Sequence, residues 1–242
     1  MAQNIYDRPE FFAGYSQLGR SVYGLAGAAE WPVIRTLLPP MKGLRVIDLG
    51  CGFGWFARFA AEEGAAAVLG LDLSENMIAR GQTENAHPAV TYEIADLEQV
   101  ELPSAAFDLA YSALAFHYLE GFDRLVRQVH DALLPGGKFI FMIEHPIYMA
   151  SANPDWQTDG TGKRFWPVDD YSVEGKRTTD WLAKGVVKYH RTLGTTLNTL
   201  IDNGFAIRRV IEWHPSPDQI AANPDLAEEM DRPMFLIVSA ER

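Results

Sequence analysis

The sequence predicts an α/β fold, a Rossmann-like seven-stranded, mostly parallel sheet with helices on both faces and a C-terminal antiparallel hairpin. Three observations predict it. Short apolar runs alternate with amphipathic stretches through the middle of the chain. The first apolar run ends in a glycine-rich turn, which is typical of a strand leading into a helix. The last two apolar runs follow each other with no strong helical pattern between them.

Each element has its own signal. The five parallel strands are predicted from apolar runs at residues 44–49, 66–71, 90–94, 107–112 and 138–143. Helices are predicted at residues 55–63, 75–84, 122–134 and 192–203. Gly64 is a suitable residue to end the first helix, and Ser74 is a suitable N-cap for the second. The third helix is amphipathic and is stopped by Pro135-Gly136-Gly137.

The hairpin is predicted from the apolar runs at residues 205–212 and 234–240, which are separated by a proline-rich stretch. We expect one domain over residues 1–242. Its predicted parts are an N-terminal cap (1–40), a ligand-binding core (41–145), a lid insertion (146–185), and a C-terminal helix and hairpin (186–242).

Composition limits the possible partners. The chain has 242 residues and a net charge of −11, with 21 Lys+Arg against 32 Asp+Glu, which disfavours a nucleic-acid partner. No apolar run is long enough to predict a membrane span, and the N-terminus lacks the apolar stretch of a signal peptide. The single cysteine fits a reducing compartment, so we expect a cytoplasmic protein. Metal-binding motifs are absent from the sequence, and the oligomeric state is left open between monomer and homodimer.

The glycine-rich turn carries the first functional signal. It reads Asp48-Leu49-Gly50-Cys51-Gly52-Phe53-Gly54, and glycines there let a ligand approach the backbone. A dinucleotide motif would have a third glycine where this chain has Trp55. Asp48 would repel a pyrophosphate but would suit a ligand with an ammonium group. The alternative interpretation is a tight strand-to-helix turn with no ligand.

Two further acids follow the next two strands. Asp72 is placed where a carboxylate accepts hydrogen bonds from ribose hydroxyls, and Asp96 is placed to accept one from an adenine amino group. Each could instead be a helix cap or a turn residue. Because parallel strands end at the same edge of a sheet, Asp48, Asp72 and Asp96 together predict a ligand site at that edge.

On these motifs the sequence resembles the class I S-adenosylmethionine-dependent methyltransferases, particularly the small-molecule "methyltransferase domain" group of the ubiquinone and menaquinone biosynthesis type. The matching segments are VIDLGCGFG (46–54), GLDLSENMIARG (70–81), ADLEQVELPSAAFDLAYS (95–112), LLPGGKFIF (133–141) and HRTLGTTLNTLIDNGF (190–205). The resemblance implies S-adenosylmethionine as cofactor. It implies that the cofactor contacts Asp48, Gly50, Cys51, Gly52, Asp72, Leu73, Met77, Asp96, Leu97 and Ser112, with Tyr15 and Tyr23 as candidates for an aromatic cover.

The resemblance also implies methyl transfer to an O, N or C nucleophile of a small molecule by in-line displacement. A general base is needed only if the nucleophile must lose a proton, and His117 and His145 are the candidates for it. Each could instead be a hydrogen-bonded structural histidine, and Glu144 could be the polar contact from the same strand end. Four lid aromatics could either enclose the acceptor or anchor the lid: Trp156, Trp166, Tyr171 and Trp181.

Two alternative functions stay open. A nicotinamide-dependent oxidoreductase would use a similar sheet, although the glycine spacing and Asp48 count against it. A non-catalytic cofactor-binding sensor or scaffold would keep the same cofactor residues. An acceptor pocket beside the cofactor site would distinguish an enzyme from such a binding protein.

Overall fold

The protein is described here from a computed structural model, which covers residues 3–151 and 153–242. Met1 and Ala2 of the predicted cap and Ala152 of the predicted lid lie outside the described residues.

Within the described chain, one sheet of seven strands forms the centre of the fold. Its spatial order is β10-β11-β5-β4-β1-β2-β3. The pairs from β5 to β3 are parallel, whereas β11 is antiparallel to both β5 and β10. The strands are β1 Arg45–Leu49, β2 Ala67–Asp72, β3 Val90–Ile94, β4 Phe107–Ala113, β5 Leu133–Glu144, β6 Gln157–Thr158, β7 Arg164–Phe165, β8 Gly175–Trp181, β9 Ala183–His190, β10 Ala206–Glu212 and β11 Phe235–Glu241. The predicted sheet and its C-terminal antiparallel pair are therefore confirmed.

Helices cover both faces of this sheet, which explains why the central strands are nearly continuous apolar runs. One face packs under Leu125, Val129 and Leu200, and the other packs under Ile34 and Phe56. The α-helices are α1 Pro9–Tyr15, α2 Gly19–Val22, α3 Trp31–Leu37, α4 Trp55–Glu62, α5 Glu75–Glu84, α6 Phe122–Ala132, α7 Pro146–Ala150, α8 Leu193–Asp202 and α9 Pro217–Ala222.

The helix boundaries follow the predicted signals closely. Ser74 is the N-cap of α5, where its side chain accepts a hydrogen bond from the Met77 N–H. Gly64 has a φ of 95° just after α4, as a C-terminal glycine should. Helix α6 ends two residues before the prediction, because Leu133 already pairs with Phe107 in the sheet.

The lid contains a hairpin that the sequence did not predict. Strands β8 and β9 pair from Gly175↔His190 to Trp181↔Ala183, so the hairpin crosses the predicted lid boundary at residue 185. Its sequence is mostly polar, and only alternate residues of β9 are buried, so no apolar run marks it. Val186 of β9 packs against Ile5 and Phe11 of the N-terminal cap.

Among the described helices, none is long and apolar enough to cross a membrane.

The turn after β1 requires glycine for two separate reasons. Gly50 has a φ of +76°, which side chains with a Cβ rarely adopt, and a Cβ there would lie 2.3 Å from the Cβ of Ala115. Gly43 offers a matched comparison, since its φ is +80° but nothing would lie within 4 Å of an added Cβ.

We therefore expect Gly50→Ala to lower the free energy of unfolding by about 1–3 kcal/mol more than Gly43→Ala does, because only Gly50→Ala adds a steric clash to the backbone strain. Urea unfolding of the two variants and the wild type measures this difference. Equal losses in the two variants would show that the turn relaxes around the added methyl group.

Candidate active site

The glycine turn between β1 and α4 is held by hydrogen bonds to the end of β2. The N–H groups of Gly50 and Cys51 both donate to the Leu71 carbonyl oxygen, at 2.8 and 2.9 Å. The Gly52 N–H donates to Oδ2 of Asp72 at 2.9 Å. The first two strand ends are thus joined through backbone groups before any ligand is considered.

Asp72 and Asp96 lie in the wall of one cavity, as the strand-end prediction expects. Asp72 also accepts a hydrogen bond from the Ser74 N–H at 2.9 Å, and Asp96 accepts one from the Glu98 N–H at 3.0 Å. Each acid therefore shapes its own turn as well as facing the cavity. We call this the strand-end cavity; its walls include Gly50, Gly52, Asp72, Leu73, Met77, Asp96 and Leu97 from the predicted set.

Asp48 lies in a second cavity, on the other side of the glycine turn. This cap cavity is closed by the N-terminal cap, which contributes Arg20, Ser21 and Glu30. Arg20 and Glu30 form an ion pair at 3.0 Å. The cap cavity and the strand-end cavity share four residues, Tyr15, Gly50, Gly52 and Ala113, so one elongated ligand could occupy both.

Two buried donors in the cap cavity have no hydrogen-bond partner among the described residues. They are Oγ of Ser21 and Nε1 of Trp55. A buried polar group without a partner is costly, so a ligand atom that accepts these hydrogen bonds is favoured. Together with the Arg20 guanidinium, they fit a carboxylate, while Asp48 fits an ammonium group. The cap cavity therefore fits the amino-acid end of S-adenosylmethionine.

No motif in the sequence marks Arg20, Ser21 and Trp55 as candidates to bind a carboxylate. Arg20 and Ser21 belong to the cap, whose position over the sheet no local pattern reveals. Trp55 was used only to exclude a dinucleotide motif. The available signal was the position of Trp55 at the start of α4, where a side chain stays close to the turn.

Two predicted cofactor residues lie elsewhere. The Ser112 side chain is fully buried and donates to the Leu49 carbonyl oxygen at 2.6 Å, and its neighbour Ala113 lines both cavities instead. Successive side chains along a strand point to opposite faces of the sheet, so Ser112 and Ala113 lie on different faces of β4. Tyr23 is 71% exposed and lines neither cavity, whereas Tyr15 lines both.

The first residues of the cap close the strand-end cavity. Asp7 accepts hydrogen bonds from the Ser74 hydroxyl (2.5 Å) and from the N–H groups of Glu75 and Asn76 (3.2 and 3.1 Å). Gln3 exchanges hydrogen bonds with Gly185 and Val187 of the lid hairpin. The same short segment therefore connects the start of α5 to the lid.

A third cavity adjoins the cofactor residues. This inner chamber, of about 310 Å³, shares Tyr6, Tyr15, Leu114 and Tyr118 with the strand-end cavity. The Tyr6 and Tyr118 hydroxyls lie 3.2 Å apart at its edge. Further walls come from Leu18, His117, Glu144, Tyr148, Trp181, Met234 and Phe235. Gly19, Arg20 and Gly27 complete its walls. Its size and its combination of aromatic, aliphatic and a few polar side chains are typical of a small-molecule site.

His117 lines the inner chamber but is poorly suited to accept a proton through Nε2. Its Nδ1 accepts a hydrogen bond from the Glu144 N–H at 3.4 Å, so the neutral ring carries its proton on Nε2. Burial lowers the pKa of His117 from 6.5 to about 4, although Glu144 opposes this shift. The neutral ring is therefore a donor to the chamber at physiological pH.

His145 lies outside the walls of all three cavities described above. Its Nδ1 accepts a hydrogen bond from the Ile147 N–H and so caps α7, and its Nε2 lies 2.9 Å from Glu212 Oε1. Both ring nitrogens are thus occupied, which supports the structural alternative rather than a contact with substrate.

The lid aromatics separate into two groups. Trp181 lines the inner chamber, whereas Trp156 donates to Glu228 and Trp166 donates to the Ile147 carbonyl. The Arg232 guanidinium lies 4.4 Å from the Trp166 ring centroid. The Tyr171 hydroxyl accepts a hydrogen bond from the Leu193 N–H. Anchoring therefore describes three of the four residues, and only Trp181 reaches the chamber.

Comparison with solved structures places this site in context. An S-adenosylmethionine-dependent methyltransferase from Mesorhizobium loti is 62% identical, with a TM-score of 0.87 over 90% of this chain and 100% of that one. A second such structure, from Listeria monocytogenes, is 42% identical, with a TM-score of 0.81 over 89% and 98%.

Comparison of the sequence with known families and proteins also finds methyltransferases. The family model for the methyltransferase domain matches residues 47–141, which hold the glycine turn and all three strand-end acids. A malonyl-(acyl-carrier protein) O-methyltransferase from Pectobacterium atrosepticum is 33% identical over 54% of this chain and 52% of its own length.

Asp48 gives the cap cavity a specific pH dependence. Burial and the neighbouring Asp72 raise the pKa of Asp48 well above its ordinary value, against a backbone hydrogen bond from Ala57. An ammonium group beside Asp48 stabilises the carboxylate and lowers its pKa in the complex. We therefore expect the affinity for S-adenosylhomocysteine to be greatest above the raised pKa and to fall as the pH drops through it.

Calorimetric titrations across pH measure this, with adenosine, which lacks the ammonium group, as the matched ligand. Asp48→Asn should weaken binding of S-adenosylhomocysteine and flatten its pH profile. A wild-type profile that falls equally steeply for both ligands would contradict the role given to Asp48.

Proposed function

This chain belongs to the S-adenosylmethionine-dependent methyltransferase family, and we propose that it methylates a small molecule held in the inner chamber. The observation that carries the proposal is the set of four shared residues, Tyr6, Tyr15, Leu114 and Tyr118, between that chamber and the strand-end cavity. A sensor or scaffold needs only a cofactor site. The adjoining chamber supplies the second pocket that an acceptor requires.

We propose the following arrangement for the cofactor. Asp48 receives the ammonium group, and Arg20, Ser21 and Trp55 receive the carboxylate. Asp72 accepts from the ribose hydroxyls, and Asp96 accepts from the adenine amino group. The adenine ring packs among Leu73, Met77 and Leu97, which all line the strand-end cavity. The methionyl and adenosyl parts then meet at Gly50 and Gly52, which border both cavities.

The chain contributes position rather than bond-making groups. The bound cofactor supplies an already activated methyl group, so a catalyst mainly needs to align the nucleophile and exclude water. Tyr15 borders the chamber and both cofactor cavities, and Trp181 and residues of the cap form further walls of the chamber. His117 supports this by offering its Nε2 proton to the acceptor, since Glu144 Oε1 lies 4.0 Å from Nε2, beyond hydrogen-bond distance.

We further propose a small-molecule acceptor and a cytoplasmic location. The net charge of −11 opposes binding to a phosphate backbone, and the chamber is too small for a folded macromolecule. The only cysteine, Cys51, cannot form an intrachain disulfide, which fits a reducing compartment.

Transfer of label from methyl-labelled S-adenosylmethionine into a small-molecule metabolite extract tests the enzyme proposal. We expect a labelled product that depends on the protein. If S-adenosylhomocysteine binds tightly but no product forms with any extract fraction, the protein is a cofactor-binding sensor or scaffold instead.

Asp72→Ala tests the cofactor arrangement. We expect it to weaken cofactor binding by about 1–3 kcal/mol, because it removes charge-assisted hydrogen bonds and frees the Gly52 N–H. Calorimetry with S-adenosylhomocysteine measures the change, and Asp202→Ala on the exposed face of α8 is the control. Unchanged affinity in folded Asp72→Ala would rule out the ribose contact.

A further inference from the structure

Glu144 lies at a junction inside the lid. It ends β5 and lines both the inner chamber and a second space beneath the lid hairpin, together with Tyr148 and Trp181. This outer cavity, of about 560 Å³, also contains Thr179 and Lys188 in its walls. An acceptor that extends beyond the inner chamber must therefore pass Glu144.

The two carboxylate oxygens of Glu144 have different environments. Oε1 accepts a hydrogen bond from Lys188 Nζ at 2.5 Å. Oε2 is buried and has no hydrogen-bond partner in the described part of the chain. A buried carboxylate oxygen without a hydrogen-bond partner is unfavourable, so Oε2 favours a ligand that supplies a donor.

The surrounding charges determine which kind of donor fits. Arg20 in the inner chamber is paired with Glu30, and the outer cavity also contains Arg177 together with Asp155 and Asp180. Lys188 is buried, and its ammonium nitrogen lies 5.3 Å from the Trp181 ring centroid and 5.9 Å from that of Tyr118. The ion pair of Glu144 and Lys188 is neutral overall, so a second cation at Oε2 would be repelled at short range by the Lys188 ammonium group. An anion would be repelled by the negative charge on Oε2. The site therefore favours a neutral donor.

We propose that Glu144 selects the acceptor by accepting, through Oε2, a hydrogen bond from a neutral hydroxyl group on an aromatic or apolar molecule. The aromatic rings of Tyr118, Tyr148 and Trp181 enclose the carbon skeleton next to that hydroxyl. This inference rests on the proposed function, because it assigns the chamber to the acceptor. It makes Glu144 a specificity-determining residue.

Ligand-observed NMR with four matched probes tests the proposal. The probes are para-ethylphenol, para-ethylanisole, para-ethylbenzylamine and para-ethylbenzoate, which differ in the presence of a donor and in charge. Each is added to the wild-type protein with and without S-adenosylhomocysteine. We expect the phenol to bind about tenfold more tightly than each of the other three, since only the phenol offers a neutral donor.

A double variant tests the assignment to Glu144. Glu144→Leu with Lys188→Met replaces the ion pair with apolar groups of similar size and leaves no unpaired buried charge. We expect it to lose the preference for the phenol over the anisole. Glu101→Gln, an exposed acid outside these cavities, should keep that preference.

Comparison of the four probes on the wild-type protein decides the class of acceptor, whether or not the double variant folds. Equal or tighter binding of the anisole, the amine or the benzoate would overturn the proposal, as would the absence of phenol binding at about 5 mM. Retention of the preference in the folded double variant would overturn the role of Glu144. Calorimetry with S-adenosylhomocysteine on the same wild-type sample tests the cofactor arrangement separately, so failure there is distinguishable.

Discussion

The carboxylate of Asp72 is the group on which the rest of the site depends. Its two oxygens hold the Gly52 N–H of the glycine turn and the Ser74 N–H at the start of α5. Ser74 in turn caps α5 and donates to Asp7, and the segment that carries Asp7 reaches the lid hairpin through Gln3. One buried acid is thus linked by successive hydrogen bonds to the turn, the helix, the cap and the lid. A ligand that engages Asp72 contacts the centre of this network rather than a passive wall.

The acids and the unpaired donors of the two cofactor cavities suit a ligand that carries both a positive and a negative group. Burial raises the pKa of both Asp48 and Asp72, although backbone hydrogen bonds oppose the shift at each carboxylate. Ser21 and Trp55 favour a ligand with a negatively charged group as well, because their buried donors have no hydrogen-bond partner in the described chain. An amino acid joined to an adenosine satisfies the acids and the donors together. The family relationship and the cofactor fit therefore come from independent observations, one from comparison and one from unsatisfied groups.

The acceptor side is built differently from the cofactor side. The walls of the inner chamber come mainly from the cap and the lid, and its charged and imidazole groups are Arg20, His117 and Glu144. Arg20 pairs with Glu30, and Glu144 pairs with Lys188 of the outer cavity. Neither the glycine turn nor any of the three strand-end acids of the cofactor site lines this chamber. The motifs that identify the family therefore describe the cofactor site and carry no information about the acceptor.

The sequence alone determined the sheet, its helices and the strand-end acids, because strand periodicity, caps and the glycine turn are local patterns. Asp72 and Asp96 were predicted to lie together, since parallel strands end at one edge of a sheet, and both line the strand-end cavity. Only the tertiary structure decided which face Ser112 takes, that Tyr15 rather than Tyr23 covers the site, and that His145 caps a helix. It also revealed Arg20, Ser21 and the β8–β9 hairpin. These depend on how the cap and lid pack over the sheet, through contacts between residues far apart in the chain that no local pattern encodes.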